Sequence, residues 1–352
     1  MRVLLSGYYG FGNLGDEAIL ATIAEQLPGV TPEAEVEVLS ADPEHTLRVH
    51  GLQARDRWRL RPALRALADA DLLVQGGGGL IQDSTSSLSP AYYLGVLALA
   101  RWLRRPVVIF CQGVGPLAGA LWRRLTVRAF ASAVQVMVRD EDSAAALRRW
   151  GLRHAIEVVA DPVVLMTPSP PEQVGQWLAE QGFHSSEPPS VLVPRALEGY
   201  WDLYLAAARV LAHGGQPLLV MPFQAGDEAL AREMASRTEH ATALPAPEDP
   251  RLAAGVVATS RRVIAARLHA LVFAASAGVP ALGLAYDPKV VRFCDLVGYE
   301  HADPRTTAGL ATWAQASDDG SAGPSPAGVE DCRGQARRAF ELLGDVIGAL
   351  GS

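Results

Sequence analysis

Lysine is almost absent from the sequence: of its 31 basic residues, only Lys289 is not an arginine. A composition this rich in arginine would be expected to replace any lysine that serves only as a surface charge. A guanidinium is a planar fork that stays charged, whereas an ammonium is a compact donor whose pKa changes when it is desolvated. Lys289 is therefore either a substrate contact or a chance surface residue, and its neighbours have to decide between the two.

An excess of positive charge is also missing. The net charge is −7, which argues against a protein that coats nucleic-acid phosphates, although a small basic pocket is still compatible with it. With 49% apolar and 20% charged residues, the composition is that of an ordinary globular protein. A chain of 352 residues is long enough for two domains of roughly 150 to 200 residues each.

Paired cysteines and long apolar runs are lacking as well. Cys111, Cys294 and Cys332 show no paired spacing, so we expect reduced thiols rather than a disulfide framework. The longest apolar run, residues 91–103, contains a glycine and an arginine and is too short to span a bilayer. A strand pattern begins at Met1 and leaves no room for a signal peptide. We therefore expect a cytoplasmic protein, with peripheral contact to the inner face of a membrane left open.

Short apolar runs alternate with helical patterns, which is typical of parallel α/β sheets. A proline-rich joint at residues 167–171 separates two such halves. We predict two Rossmann-like domains, residues 1–167 and 168–352, that face each other across a cleft, with the C-terminal helix able to pack back on the first. The predicted strands are residues 3–6, 36–39, 72–75, 107–110, 134–138 and 156–159, then 191–193, 218–221, 263–265 and 281–284.

Residues 10–15 match G-x-G-x-x-G between a strand and a helix, which raises the question of dinucleotide binding. Asp16 and Glu17 count against it, because their charges suit the positive helix end but would repel a pyrophosphate docked there. Asp42 lies too far along to hold a ribose. A neutral substrate with hydroxyl groups fits better, with Asn13 and Asp16 as hydrogen-bond partners. Asp16 is then either a general base or a helix cap.

A second glycine run, residues 76–79, is predicted to form a loop after the third strand and is followed by Asp83. Glycines are costly in regular elements, so this density indicates either an anion cradle or the close approach of the facing domain. Asp83 is a further base candidate, or a cap of the next helix.

Arg139 comes directly after another strand and is predicted to project from the sheet edge as a lone cation. Asp140 and Asp142 could be a metal-binding pair, but acids at a helix start more often cap it and offset its dipole. We favour capping for the acids and ligand binding for Arg139.

In the second half, Arg267 and His269 follow one strand, and Lys289 follows the next. If these strands are neighbours, the three side chains converge in front of two helix N-termini. Such an arrangement suits a multiply charged anion. Alone, His269 would more often be a core histidine; beside Arg267 and the single lysine, a functional role is favoured.

Seven segments together resemble the polysaccharide pyruvyl transferases, specifically the CsaB type. The resemblance implies a GT-B-like fold, and it maps the family's donor-binding and catalytic positions onto Arg139, His269 and Lys289, with Arg267 beside them. The segments are residues 7–20 (GYYGFGNLGDEAIL), 76–83 (GGGGLIQD), 112–117 (QGVGPL), 138–140 (VRD), 221–224 (MPFQ), 266–271 (ARLHAL) and 286–290 (YDPKV).

The resemblance implies transfer of the pyruvyl group of phosphoenolpyruvate to a sugar, with release of phosphate. In the CsaB type, the acceptor is N-acetylmannosamine in a lipid-linked secondary cell-wall polymer precursor. It is bridged at O4 and O6 as a ketal, and the finished polymer anchors surface-layer proteins. No cofactor and no metal are implied, and phosphoenolpyruvate is the donor substrate. His269 would act as the acid, while Asn13, Asp16 and Asp83 are the acceptor-side candidates.

Two other functions are compatible with the sequence. A GT-B glycosyltransferase would bind a nucleotide sugar, but such enzymes usually offer an acidic residue to the ribose. Around residues 267–290, only Asp287 is available for that role. A sugar-binding protein without catalytic activity is the third candidate, and it would not need Arg139, His269 and Lys289.

Overall fold

The computed structural model describes residues 1–83, 88–303, 306–318 and 320–351. The chain divides into two compact units: Met1–Leu165 with Cys332–Ser352, and Met166–Asp331. The first unit therefore contains most of the last helix as well as the N-terminal half. The sequence-derived boundary between residues 167 and 168 lies two residues from this division.

The first unit is a seven-stranded parallel sheet in the order β3-β2-β1-β4-β5-β6-β7. The order reverses between β1 and β4, and ligands of open α/β sheets bind beyond the strand ends at such a reversal. The elements are β1 Arg2–Ser6, α1 Leu14–Val30, β2 Glu35–Ser40, α2 Pro43–His50, β3 Gln53–Asp56, α3 Leu60–Asp69, β4 Leu72–Ile81, α4 Leu88–Trp102, β5 Val107–Val114, α5 Ala120–Phe130, β6 Gln135–Val138, α6 Glu141–Arg149, β7 Glu157–Val158 and a 3-10 turn Pro162–Leu165.

The second unit is a six-stranded parallel sheet in the order β10-β9-β8-β11-β12-β13, which reverses between β8 and β11. Its last helix, α14, continues into the first unit from Cys332 onward. The elements are α7 Pro171–Glu180, β8 Ser190–Val193, α8 Trp201–Leu211, β9 Leu218–Val220, α9 Glu228–Ser236, β10 Ala241–Ala243, α10 Pro250–Ala258, β11 Arg262–Ala265, α11 Leu268–Ala277, β12 Ala281–Leu284, α12 Pro288–Val297, β13 Glu300–Ala302, α13 Leu310–Asp318 and α14 Pro326–Gly351, with 3-10 turns at His213–Gly215 and Ala225–Asp227.

Helices cover the sheets, so the central strands are buried on both faces and have nearly continuous apolar sequences. In the first unit, the inner residues of α3, α4, α5 and α6 form one core layer with the sheet. On α14, the Phe340 ring lies 5.2 Å from that of Phe110 in β5. Within the described part of the chain, no helix combines the length and hydropathy that crossing a membrane would require.

The structure differs from the sequence prediction mainly at strand ends and sheet edges. β4 extends to Ile81, so the glycines 76–79 lie inside a strand and the predicted loop is wrong. β3, β10 and β13 were not predicted. They are three- or four-residue strands at or next to sheet edges, and β3 and β13 carry polar residues in place of an apolar run.

Candidate active site

The loop after β1 is held by a buried acid that the sequence suggested only as a partner of the helix dipole. Glu17 accepts a hydrogen bond from the Gly10 amide at 2.8 Å, and its other oxygen lies 2.9 Å from His50 Nε2. The side chains of Glu17 and His50 are both buried. Gly10 has a φ of +79°, and a Cβ there would lie 2.2 Å from Ser40 Oγ. Only glycine fits this position, and the Glu17–His50 pair fixes the loop around it.

The three acceptor-side candidates have different surroundings. Asn13 caps α1 by accepting a hydrogen bond from the Gly15 amide at 3.1 Å. Asp83 accepts one from the Ala118 amide at 2.8 Å and thereby braces the segment before α5. Asp16 is half-buried in the first turn of α1, beside β4. Local structure therefore accounts for Asn13 and for one oxygen of Asp83.

The glycines of β4 allow α1 to pack directly on the strand. A Cβ at Gly77 would lie 2.4 Å from Ile19, and one at Gly78 would lie 2.7 Å from Asp16 Oδ1. Both glycines have positive φ, at +48° and +77°. The close approach expected of another domain is thus made by a helix of the same unit. The same contact places the Asp16 carboxylate at the C-terminal part of β4.

Burial and the Asp16 carboxylate raise the pKa of the half-exposed Tyr8 phenol. Tyr8 and Phe11 stack with ring centroids 4.0 Å apart in the same loop. At neutral pH the Tyr8 phenol is consequently a neutral group and can donate a hydrogen bond beside Asp16.

Arg139 follows β6 at the edge of the first sheet, as predicted, but it is not a lone cation. Its side chain is 11% exposed, and its guanidinium lies 3.7 Å from Asp140 and 3.6 Å from Asp161. The guanidinium rests over Gly113, where a Cβ would come within 2.8 Å of Nε. Two nearby carboxylates thus balance its charge, at distances longer than a hydrogen bond.

Asp140 caps α6, because its carboxylate accepts a hydrogen bond from the Ser143 amide at 2.7 Å. The predicted capping role of this acid is confirmed.

Arg267 follows β11 and is held by a buried carboxylate from the segment after β9. Its Nε and Nη2 donate to the same Asp227 oxygen at 3.1 and 2.5 Å. The Asp227 side chain is fully buried, and its other oxygen accepts from the Ala196 amide at 2.9 Å. In the structure, Asp227 fixes the orientation of Arg267 and offsets its charge.

Lys289 lies in the first turn of α12, beside the ring of Tyr286. Its ammonium is 3.6 Å from Asp287 and 5.6 Å from the centre of the Tyr286 ring. Asp287 also caps α12 by accepting from the Lys289 amide at 3.0 Å. The lysine side chain is 30% exposed.

Arg195 is a further cation that sequence reasoning missed. It follows β8, donates to the Tyr286 hydroxyl at 2.5 Å and lies 4.7 Å from the centre of that ring. Tyr286 is therefore in contact with both Arg195 and Lys289. A signal did exist in the sequence: Arg195 comes two residues after a buried strand, as Arg267 and Lys289 come shortly after theirs.

The strands β8, β11 and β12 are adjacent and parallel, so the segments that follow them meet at one sheet edge. Arg195, Arg267 and Lys289 follow these strands, and the half-buried His269 lies in the first turn of α11. We call Arg195, Arg267, His269 and Lys289 the cationic edge. Together with the N-termini of α11 and α12, it is suited to a small ligand with more than one negative charge.

Several solved structures share this architecture. HepE from Anabaena, in complex with UDP and glucose, has a TM-score of 0.66 at 12% identity, and the match covers 99% of both chains. UDP-GlcNAc 2-epimerase from Neisseria meningitidis has a TM-score of 0.63 at 14% identity, covering 97% of this chain and 99% of that one. MurG from Acinetobacter baumannii has a TM-score of 0.53 at 14% identity, covering 97% and 98%. These likenesses confirm a GT-B-like α/β fold of two domains.

At the level of sequence, no curated protein matches the chain significantly. The model of one protein family, polysaccharide pyruvyl transferase, matches residues 13–288. The matched region contains Arg139, Arg195, Arg267 and His269, and it ends one residue before Lys289. Since it extends over most of the 352 residues, this chain belongs to the polysaccharide pyruvyl transferase family.

Proposed function

We propose that the protein transfers the pyruvyl group of phosphoenolpyruvate to two hydroxyls of one sugar, forming a cyclic ketal and releasing phosphate. The proposed acceptor is N-acetylmannosamine of a lipid-linked secondary cell-wall polymer precursor, ketalised at O4 and O6 as in the CsaB type. The product would then serve surface-layer anchoring. The observation that carries the proposal is the cationic edge, found in a chain that belongs to this family.

Phosphoenolpyruvate bears a phosphate and a carboxylate, so its site needs several donors and a positive potential. Arg195 and Lys289 flank Tyr286, and two helix N-termini lie at the same edge. The carboxylates of Asp227 and Asp287 partly offset these charges, so binding depends on oriented donors as well as net charge. Arg139 in the first unit is kept as a proposed donor-binding and catalytic residue.

In the proposed reaction, protonated His269 gives its proton to the methylene carbon of phosphoenolpyruvate, and positive charge develops at C2. A sugar hydroxyl oxygen bonds to C2 and gives up its proton to a base. The bond from C2 to the phosphate oxygen breaks, and phosphate leaves with the proton that the base had accepted. The second hydroxyl then bonds to C2, and its proton can restore the imidazolium. Phosphoenolpyruvate is the donor, and the scheme needs no other co-reactant.

Asp16 and Asp83 are the proposed bases. One Asp83 oxygen accepts a hydrogen bond from the Ala118 amide, and Asp16 lies in the first turn of α1 beside β4. Replacing His269 with alanine tests its proposed role as the general acid. Turnover should fall by about 10²- to 10⁴-fold while phosphoenolpyruvate still binds. Half-exposed His154 offers a matched histidine-to-alanine control. Near-normal turnover of the His269 variant would show that His269 is not the general acid.

A nucleotide-sugar glycosyltransferase is the second candidate, because HepE shares the fold and binds UDP and glucose. The acidic residues near the cationic edge do not favour a glycosyltransferase, which would need a carboxylate free to bind the ribose. Asp227 is fully buried against Arg267, and Asp287 both caps α12 and contacts Lys289, so neither is arranged to bind a ribose. The third candidate is a sugar-binding protein without catalytic activity. Such a protein would bind the acceptor but would release no phosphate from phosphoenolpyruvate.

Incubating the protein with phosphoenolpyruvate and a panel of aryl-tagged or lipid-linked amino sugars separates these candidates. We expect phosphate release together with the mass gain of a ketal on one acceptor. Calorimetry should show binding of phosphoenolpyruvate but not of UDP-sugars. Transfer of a glycosyl group from a UDP-sugar, without turnover of phosphoenolpyruvate, would overturn the proposal.

A further inference from the structure

One segment of the sequence has a charge opposite to that of the whole chain. Residues 84–139 contain no aspartate and no glutamate but seven arginines, whereas the chain as a whole carries −7. This segment includes α4 and α5, which pack against each other on one face of the first sheet. Four of the seven arginines lie in these two helices, at positions 101, 123, 124 and 128.

The outer face of α4 is apolar. Ala91, Gly95, Ala98 and Trp102 are exposed and recur at intervals of four, three and four residues, so they form one stripe along the helix. Trp102 is 76% exposed. The opposite face of α4, including Tyr93 and Leu97, is buried in the core, so α4 is apolar on both faces. A surface helix normally presents mainly polar residues to water, whereas the exposed stripe of α4 is apolar and is flanked by one charged residue, Arg101.

The outer face of α5 combines leucine and arginine. Leu121, Arg124, Leu125 and Arg128 are exposed and lie on one stripe, while Phe130 is buried on the other side. Leu121 is 65% exposed. Two exposed leucines alternate with two arginines on α5, which packs beside α4, so the two outer stripes together present apolar and basic groups.

Arg101, Arg124 and Arg128 form no ion pair within residues 1–83, 88–303, 306–318 and 320–351. Some exposed arginines elsewhere do form ion pairs: Arg148 contacts Glu141, and Arg237 contacts Glu233. The positive charge of α4 and α5 is thus available to an anionic partner.

We propose that the outer faces of α4 and α5, here called the α4–α5 face, bind the surface of an anionic phospholipid bilayer. Phosphate groups of the lipid would meet Arg124 and Arg128, while Trp102, Leu121 and Leu125 enter the boundary between headgroups and acyl chains. A partner that supplied only negative charge would leave the exposed leucines and the tryptophan unexplained. Binding to lipid requires no donor and no turnover, so it stands independently of the proposed reaction.

Vesicle sedimentation tests the proposal on the full chain. The protein should sediment with phosphatidylcholine vesicles that contain about 30 mol % phosphatidylglycerol and only weakly with pure phosphatidylcholine vesicles. Raising NaCl to about 0.5 M should release most of it, because salt screens the attraction between arginine and lipid. Equal sedimentation with both kinds of vesicle, or none with either, would overturn the proposal.

Two double variants separate the basic from the apolar contribution. Arg124→Gln with Arg128→Gln should lower partitioning into the anionic vesicles by about 30-fold, which corresponds to about 2 kcal/mol. Leu121→Gln with Leu125→Gln should also lower it and should leave the salt dependence in place. Matched controls are Arg209→Gln with Arg232→Gln, and Leu47→Gln with Leu350→Gln, which change exposed residues on other helices.

All variants should unfold at the temperature of the parent protein, which excludes misfolding as the cause of lost binding. If the proposed reaction is correct, they should also turn over a water-soluble aryl-tagged acceptor at the parental rate. Unchanged vesicle binding in both α5 double variants would contradict the proposal that the α4–α5 face binds the bilayer. Lost turnover on the soluble acceptor in every protein, with vesicle binding intact, would instead contradict the proposed reaction.

Discussion

The single lysine contacts groups that an arginine would meet differently. The Lys289 ammonium is 3.6 Å from Asp287 and 5.6 Å from the Tyr286 ring centre, and Arg195 lies on the same ring. A longer, planar guanidinium at this position would compete with Arg195 for the ring and would approach a phosphate oxygen with a different geometry. The lysine is thus suited to a small anion in a way that charge alone does not explain.

Replacing Lys289 with arginine should therefore impair use of the donor more than folding. We expect kcat/KM for phosphoenolpyruvate to fall about tenfold, equivalent to about 1.4 kcal/mol, with little change in thermal stability. Steady-state kinetics and a melting curve measure the two effects. Arg209→Lys, an exchange in the opposite direction at an exposed site, is the control. Unchanged donor kinetics would mean that Lys289 is an accident of composition.

Asp227 and Arg267 form a buried pair whose loss should affect stability. Asp227→Asn removes the negative charge and leaves Arg267, only 11% exposed, without a countercharge at that position. We expect the free energy of unfolding to fall by about 3 kcal/mol. Glu233→Gln, at an exposed pair with Arg237, should cost less than about 1 kcal/mol. Urea unfolding of both variants measures the difference, and equal losses would argue against a special role for the buried pair.

At the scale of elements, the glycines of β4 show how a pattern can be noticed and yet misassigned. Their density was interpreted as either an anion cradle or the close approach of the facing domain, and the segment was predicted to be a loop. In the structure, the strand continues through it and α1 packs on Gly77 and Gly78. The sequence could not show this, because an apolar helix face and a glycine run reveal no partner until the strand order is known.

The contrast between Gly77 and Gly79 makes the packing testable. Gly77→Ala forces a left-handed φ and a contact with Ile19, and it should lower the free energy of unfolding by at least about 2 kcal/mol. At Gly79 a Cβ would meet nothing within 4 Å among the described residues, and its φ is not positive. Gly79→Ala should therefore be neutral or stabilising by about 0.5 kcal/mol. Similar destabilisation in both variants would show that the contact with Ile19 is not what excludes a side chain at position 77.

For the whole molecule, burial determines how the cysteines behave. All three are buried. Burial raises the pKa of Cys294 to about 12, and burial together with Asp161 raises the pKa of Cys111 well above its ordinary value. Because these pKa values are raised, both thiols stay protonated at neutral and mildly basic pH. The reactive thiolate is scarce there.

The native protein should therefore react slowly with Ellman's reagent at about pH 8, whereas urea should expose all three thiols to rapid reaction. Absorbance of the released thionitrobenzoate measures both rates. Rapid reaction of one thiol in the folded protein would contradict the burial of that cysteine.

The sequence by itself determined the fold class and the candidate residues. Its alternating runs predicted parallel α/β halves, and its motifs led to the family and to Arg139, His269 and Lys289 as candidates. These are local or ordered signals, because a buried strand and the residue after it can be identified in one stretch of chain.

Only the tertiary structure decided which polar and charged side chains contact each other. Arg195 reaches Tyr286 across 91 positions, Arg267 reaches Asp227 across 40, and His50 reaches Glu17 across 33. Such contacts depend on which strands are neighbours, and strand order is set by how helices pack over the sheet rather than by any one segment. For the same reason the α4–α5 face could be identified only once the inner and outer sides of both helices were known.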